Sequence, residues 1–532
     1  MRKFETPRFS PVRILQISVA CLSVALIGLV ALTVPRYGRL EHTSGVWIAT
    51  AYDLLKGDFW RPLLGDAGYG GSRYFPLHVL LHAAFMRLWG HPVLSGHLVS
   101  FFSLAGLIYG LYRLLGKLGV RKEYALPLAF AVLSSASLRL ALLSIRSDLL
   151  PAAFNIWGLV FFMEASDKDA GKRSLPLASL CFILAFLSKI TTVFGFAAAL
   201  LTCVLSGRRK AAWELWWTTV FGMALTLALT QWASDGRFLK VLQACWSSGA
   251  GWSDVLWAPG RTAFFMSTDP VSLFLFFFAL AILLYLKNIR LQLPALLLAM
   301  THFVTVAIFC TPGTVSNHLL DIHLATLIFI AAQIPQEELP APFLTSIISV
   351  AAFSATFVIL LECGGSISNR YNINELGNLR NRLAYERVIQ DLGTLDKPIL
   401  AQNPMLPVLA GKRPYMLDPF MFQVLSRRHP EMKKDFMDRL GSHFFPAIVL
   451  TIDPDRQEDR ANLDEVFFGP GFVDQLLANY HLASRQENLL VYRPNERHPS
   501  VTSPGRPVSA QTPGSNRRKA ASSSAPDPSR RP

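Results

Sequence analysis

Residues 36–76, between a first apolar run and the next, gather groups that can move protons and hold anions. Glu41, His42, Asp53, Asp58 and Asp66 stand among Arg36, Arg39 and Arg73, and the stretch closes on Ser72-Arg73-Tyr74-Phe75-Pro76. Further polar groups interrupt apolar sequence at Arg146-Ser147-Asp148, at Lys189 in Leu187-Ser188-Lys189-Ile190, and at Ser316-Asn317-His318 with Asp321. Charged side chains at the edge of membrane spans are costly and default to functional roles. Each also has a plainer use. Arg146 and Asp148 suit a local ion pair at a helix start, Lys189 suits a side chain reaching for the interface, and Ser316 or Asn317 suits a helix cap. No Cys/His spacing fits zinc, His318 with His323 being a poor ligand pair. No phosphate-cradling glycine loop or Gly-x-Ser-x-Gly elbow is present.

A sugar carried on a membrane lipid phosphate suits this chemistry. Arginine or lysine near the interface would hold the phosphate through charge-assisted bonds. A carboxylate in the exterior loop would take the proton of an acceptor hydroxyl attacking the anomeric carbon. Lipid phosphate is itself a good leaving group, so no nucleotide site is needed.

The rest of the chain must place these groups at a membrane surface. Of its 532 residues 52% are hydrophobic and 16% charged, well below the charge share of about 25% usual in soluble domains. Apolar runs occur at about 14–34, 93–115, 124–143, 149–166, 174–189, 191–206, 212–231, 270–287, 292–311, 318–334 and 343–361, near the roughly 17–25 residues that cross a bilayer. The sequence therefore predicts a mainly α, polytopic transmembrane bundle of about eleven spans, not a barrel of alternating strands. The net charge of +15 is concentrated in the termini and in the short loops 117–122, 168–173, 208–210 and 287–290. That pattern encodes a cytoplasmic side and, with no groove-reading module, argues against nucleic acid as a partner. An inside N-terminus at 1–13 then puts 36–76, 232–269 and everything after 361 outside the cytoplasmic membrane, and the four polar stretches on that same outer face.

Residues 77–89 are apolar but short, and crossing there would turn the basic loop 117–122 outward; they are read as an interfacial or re-entrant helix. Loop 232–269 carries Trp246, Trp252, Trp257, Asp254, Arg261 and Asp269, either an aromatic belt or a face turned to substrate. Residues 364–495 alternate short strand-like runs (398–402, 447–452, 488–492) with helical ones, predicting a small extracytoplasmic α/β domain. Residues 496–532 form a basic Ser/Pro-rich tail expected to be disordered. The six cysteines are scattered and form no framework.

A first span, a long external loop with acidic residues, then Tyr74-Phe75-Pro76-Leu77 resembles the GT-C superfamily of membrane glycosyltransferases, relatives of the protein mannosyltransferases and the lipid A aminoarabinose transferase. Gly57-Asp58, Arg146-Ser147-Asp148, Ser188-Lys189-Ile190-Thr191-Thr192, Asn317-His318-Leu319-Leu320 and the stretch from Ala410 to Pro419 are similar to bacterial members. The family typically sets an Asp a few residues after the first span as base; here Glu41-His42-Thr43 stands near that position.

The resemblance implies an inverting transferase that uses a polyprenyl-phosphate-linked sugar and a lipid, glycan or protein acceptor, with no cofactor and no obligatory metal. It makes Glu41 the first candidate base and Asp66 the second. Arg73, Arg146 and Lys189 become the phosphate-holding cations, Asp148 the group that orients Arg146, and His42, Asn317, His318 and Asp321 lining residues. Asp53 and Asp58 are assigned to a solvated face or helix-end turn. A transporter or flippase of lipid-linked sugars, or a non-catalytic assembly protein, are the rival readings; the first usually shows internal repeats, and none is evident.

Overall fold

The computed structural model describes residues 41–166, 173–246, 250–285, 292–311, 313–333, 375–486 and 488–496. The expected spans at 14–34 and 343–361, the start of loop 36–76 and most of the tail lie outside the described residues. The fold is mostly helical with a small sheet.

Helix α1 (His42–Leu55) opens on Glu41, whose extended backbone stands at the N-cap. It packs through Trp47, Ile48 and Ala51 against Val79, Ala83 and Met86 on one side and Met405, Val408 and Leu417 on the other. Gly45 permits this approach, because a Cβ there would come within 2.0 Å of Asn403 Oδ1. A two-residue hairpin, β1 (Leu64–Gly65) and β2 (Gly68–Tyr69), is bound to the α/β segment by Tyr69 N–H to Tyr415 O at 2.8 Å and Leu417 N–H to Tyr69 O at 2.9 Å. Gly68 takes φ +102° against the Tyr415 carbonyl, where a Cβ would sit 1.9 Å from the oxygen; only glycine fits that backbone and that space.

Helix α2 (Pro76–Trp89) starts on a proline, whose missing N–H is harmless in the first turn, and stops at Gly90 in the left-handed conformation. Helix α3 (Pro92–Lys117) follows, capped by His91 Nδ1 accepting from Leu94 N–H at 3.2 Å. Then come α4 (Lys122–Ala131) and α5 (Ala136–Leu143), bent 69° apart, with Ser135 Oγ capping α5. Next are α6 (Leu149–Glu164), α7 (Ser174–Ser188), α8 (Phe194–Leu205) and α9 (Arg209–Ala233).

Residues 232–269 are largely helical, not a loop: α10 (Arg237–Cys245) and α11 (Trp252–Ser267) occupy them. Phe238, Val241, Leu242 and Cys245 line the buried face of α10, a 3.6-residue period that its intervening polar residues obscure. Helices α12 (Pro270–Tyr285), α13 (Gln292–Ile308) and α14 (Leu319–Gln333) complete the bundle.

Among the described residues α3 alone is long and apolar enough to cross a membrane by itself, and the bent pairs α4–α5 and α11–α12 raise the number to three if each is one span. Helices α6, α7, α8 and α13 are apolar but shorter, from 12 to 17 residues. At 1.5 Å per residue they reach about 18–26 Å, short of a hydrocarbon core of about 30 Å.

After α15 (Glu375–Gly393), a four-stranded sheet is built from β3 (Leu400–Ala401), β4 (Ile448–Leu450), β5 (Tyr480–Gln486) and β6 (Leu489–Pro494), in the order β3-β4-β6-β5. β3 runs parallel to β4 with Leu400 opposite Ile448; β4 and β6 are antiparallel with Val449 opposite Val491. The sequence-predicted runs at 398–402, 447–452 and 488–492 lie on β3, β4 and β6, whose residues are mostly buried. β5 is missed because its burial runs Tyr480 buried, then mainly exposed to Gln486, an edge strand with little apolar signal. The α/β segment belongs to the same compact unit as the helical bundle.

Candidate active site

The site is assembled where helices start and stop. The 144–148 segment between α5 and α6 docks on the start of α1, with Ile145 N–H donating to Ser44 Oγ at 3.0 Å. This sets Arg146 beside Glu41. Nε of Arg146 donates to Glu41 Oε1 at 2.7 Å and an Nη donates to the same oxygen. The arginine is 7% exposed and the glutamate side chain 40%. Burial opposes the charge on Arg146, yet Glu41 and Asp148 push its pKa above the ordinary guanidinium value.

Lys189 ends α7 in an extended conformation. Its turn is tied down by Thr192 Oγ1 donating to Ala185 O and Lys189 O, and by Asn155 Nδ2 donating to Thr192 O at 3.1 Å. Lys189 Nζ reaches Asp148 Oδ1 at 2.5 Å, and Asn317 Nδ2 donates to the same oxygen at 2.9 Å. Asp148 therefore orients Lys189 and Asn317, and the group on Arg146 is Glu41; the expectation that Asp148 positions Arg146 is corrected. Burial alone would raise the Asp148 pKa, but Lys189, then His318 and Arg146, hold it down to about 2.

That depression has a stability consequence with a definite sign. The folded pKa of about 2 lies below the ordinary 3.8, so Asp148 stabilises the fold above pH 4 and loses that contribution, about 2 kcal/mol, as pH falls from about 4 to 2. Thermal melting of the purified chain across that window should steepen in the wild type and flatten in D148N. Identical profiles would refute the assignment.

Arg146, Asp148, Lys189 and Asn317 line a cavity of 510 Å³, and Glu41, itself outside the lining, meets it through Arg146. Arg73, Arg146, Ser147, Asp148, Lys189, Asn317 and His318 are among its polar lining residues, and Phe303, Val304, Ala307 and Ile308 of α13 with Leu242 and Trp246 among its apolar ones. Arg73 also stacks its guanidinium over the Phe420 ring at 5.5 Å. Sequence reasoning missed Thr43, Trp47 and Tyr74 in this lining; Trp47 and Tyr74 stack at 3.9 Å. Their signal is position, since Trp47 lies within the first turns after Glu41 and Tyr74 adjoins Arg73. Trp246 joins the cavity, whereas Trp252 and Trp257 are 87% and 68% exposed.

Not every expected residue is gathered. Asp66 stands exposed at the tip of the β1–β2 hairpin and is not part of the lining, which separates it from Arg146 and Lys189. His42 lies next to Glu41 but points toward Asp418 (Nε2 to Oδ1 3.5 Å) and Phe467. Burial pushes its imidazole pKa below the ordinary value against the pull of Asp418 and Glu41. Asp321 sits in the first turn of α14, outside the lining. Among the described residues no three His, Cys, Asp or Glu side chains gather as a metal site.

Asp58 lies in the turn that follows α1, with its side chain 28% exposed, whereas Asp53 is not solvated. Asp53 is 2% exposed and Oδ1 accepts from Arg61 at 2.6 Å and from Arg413 at 3.1 Å. Asp58 accepts from Arg413 and from Arg237 at 3.4 Å. This network pins the C-terminal end of α1 to α10 and to the α/β segment.

No protein-family model matches the chain, and no curated protein matches it in sequence. Solved structures do. ArnT from Cupriavidus metallidurans bound to undecaprenyl phosphate superposes at a TM-score of 0.54, with 12% identity, over 88% of this chain and 97% of that one. The apo state of the same protein gives 0.50, with 14% identity, over 89% and 98%. The chain has the fold of ArnT. Within that fold, Glu41 and Arg146 stand at the start of α1 and before α6, and Lys189 at the end of α7. These ion pairs thus stand at helix ends, where backbone groups are available to charged side chains.

Proposed function

We propose that the chain is an inverting membrane glycosyltransferase that moves a sugar, hexose or pentose, from a polyprenyl-phosphate donor to a lipid, glycan or protein acceptor. The observation that carries the reading is one cavity lined both by Arg73, Arg146 and Lys189 and by apolar residues of α13. An amphiphile with an anionic head and a hydrocarbon tail has that polarity. ArnT, whose fold the chain shares, is bound to undecaprenyl phosphate.

In this reading the cations hold the donor phosphate. Glu41 takes the proton from the acceptor hydroxyl, whose oxygen bonds to the anomeric carbon on the face opposite the phosphate. The carbon–oxygen bond to phosphate breaks, and polyprenyl phosphate leaves with the bonding pair, its charge met by Arg73 and Lys189. Asp148 and Asn317 keep Lys189 in place, and His318 lines the sugar or acceptor side. Neither a cofactor nor a metal is assigned a role.

About eleven spans of the cytoplasmic membrane, an inside N-terminus, an outer-face loop 36–76 and an extracytoplasmic α/β domain at 364–495 complete the proposal. Cells lacking the chain should accumulate a polyprenyl-phosphate-linked sugar, which the purified full-length chain then consumes on adding back the cell-envelope fraction. No accumulation and no consumption would overturn the reading.

A further inference from the structure

We propose that Glu41 and the donor phosphate compete for Arg146, so that arrival of the donor releases the carboxylate to work as a base. The inference rests on the reading of Arg146 as a phosphate-holding cation, and it assigns the order in which the site is loaded.

Two carboxylates sit against the cavity's cations, and they are held in different ways. Asp148 is 6% exposed and is fixed through one oxygen by two residues from separate elements, Lys189 at 2.5 Å and Asn317 at 2.9 Å. Glu41 is held by one residue alone among its described hydrogen bonds, and its side chain is 40% exposed while the arginine is 7% exposed. The buried partner of that pair is the one that lines the cavity; the wetter partner is outside the lining and meets it through the arginine. An anion that reaches Arg146 therefore meets a guanidinium already engaged, and the group able to move out into water is Glu41.

The chemistry favours the exchange. Both N–H donors of Arg146 converge on Glu41 Oε1, and a carboxylate oxygen has two lone pairs to offer. With both engaged, that oxygen is closed to a hydroxyl proton, and pairing with the guanidinium makes the carboxylate a weaker base through Oε2 as well. The same fork of donors is what matches a phosphate. Glu41 and a phosphate that binds in bidentate fashion are thus alternative ligands of the Nε–Nη edge of Arg146, and the enzyme with no donor holds its base in an ion pair. The Ile145 N–H to Ser44 Oγ bond at 3.0 Å keeps the two backbones together while the side chains part, so the released carboxylate stays beside the phosphate.

The test is a double-mutant cycle on the affinity of dodecyl phosphate for the full-length chain in detergent, measured by calorimetry. E41Q should bind about tenfold tighter than wild type, since a neutral amide is a weaker competitor for the guanidinium. R146Q should bind at least tenfold weaker, and the gain from E41Q should vanish when both changes are combined. An unchanged affinity in E41Q, or a gain of equal size in the R146Q background, overturns the competition while leaving the phosphate site intact. Equal binding by wild type and R146Q instead removes Arg146 from the phosphate site and overturns the underlying reading. E41D, which withdraws the carboxylate by one methylene, gives the same sign as E41Q and serves where that variant melts early.

Discussion

Glu41→Gln should lower the rate of sugar transfer by about 10²–10⁴-fold while donor binding is retained and strengthened. The amide keeps the size of the side chain and an oxygen that can still accept from Arg146, so the start of α1 has no steric reason to move. It has no carboxylate to take the acceptor's proton. The loss should fall on kcat, because the proton moves only as the acceptor oxygen attacks. Turnover of a radiolabelled polyprenyl-phosphate sugar, with donor affinity measured separately, separates the two. Wild-type turnover in E41Q would remove Glu41 as the base. Asp66 is a poor substitute for that role, since it stands exposed on the hairpin tip, whereas Glu41 is bonded to Arg146 of the cavity lining.

Asp53→Ala should be the most destabilising single change outside the cavity, at about 3–5 kcal/mol. Arg61 has a side chain with 0% exposure, and besides Asp53 it donates to the carbonyls of Pro414 at 2.6 Å and Ala67 at 3.2 Å. Removing the carboxylate leaves that guanidinium buried with dipoles only, and takes from Arg413 one of its two anions. D53N keeps an acceptor and should lose less. Thermal melting in detergent should rank wild type above D53N and D53N above D53A. The exposed pair Arg460–Asp474, with side chains 40% and 73% exposed, provides a reference, because such pairs contribute about 0–1 kcal/mol. If D53A melts like D474A, the network does not hold α1. A loss of transfer in D53A with its melting unchanged would instead show that the network tunes the site and not the fold.

The class of molecule was legible in the chain because hydrocarbon content and the distribution of Lys and Arg are local quantities. The same bookkeeping of loops grouped Arg146, Lys189 and Asn317 on one face, since a helix end is located by where its apolar run stops. The strands at Leu400–Ala401 and Ile448–Leu450 stood out because buried strands are nearly uniform in apolar residues. The β5 edge strand and the helix Arg237–Cys245 were hidden, one by exposure and the other by mixed polarity.

Hydropathy carries no information about which charged group meets which. Glu41 with Arg146, Asp148 with Lys189 and Asn317, and Asp53 with Arg61 and Arg413 join residues from 8 to 360 positions apart. Asp53 looked solvated because its own helix offers it no partner; it is buried because two arginines, one from the α/β segment, meet it there. Asp148 looked like the neighbour of Arg146 because it lies two residues away, yet the turn before α6 directs the two side chains to different partners. The sequence by itself determined a membrane helix bundle and the cations it carries toward one side. Tertiary structure decided which carboxylate each cation holds, because a charge leaving water goes to whichever opposite charge the packed helices bring within hydrogen-bond distance.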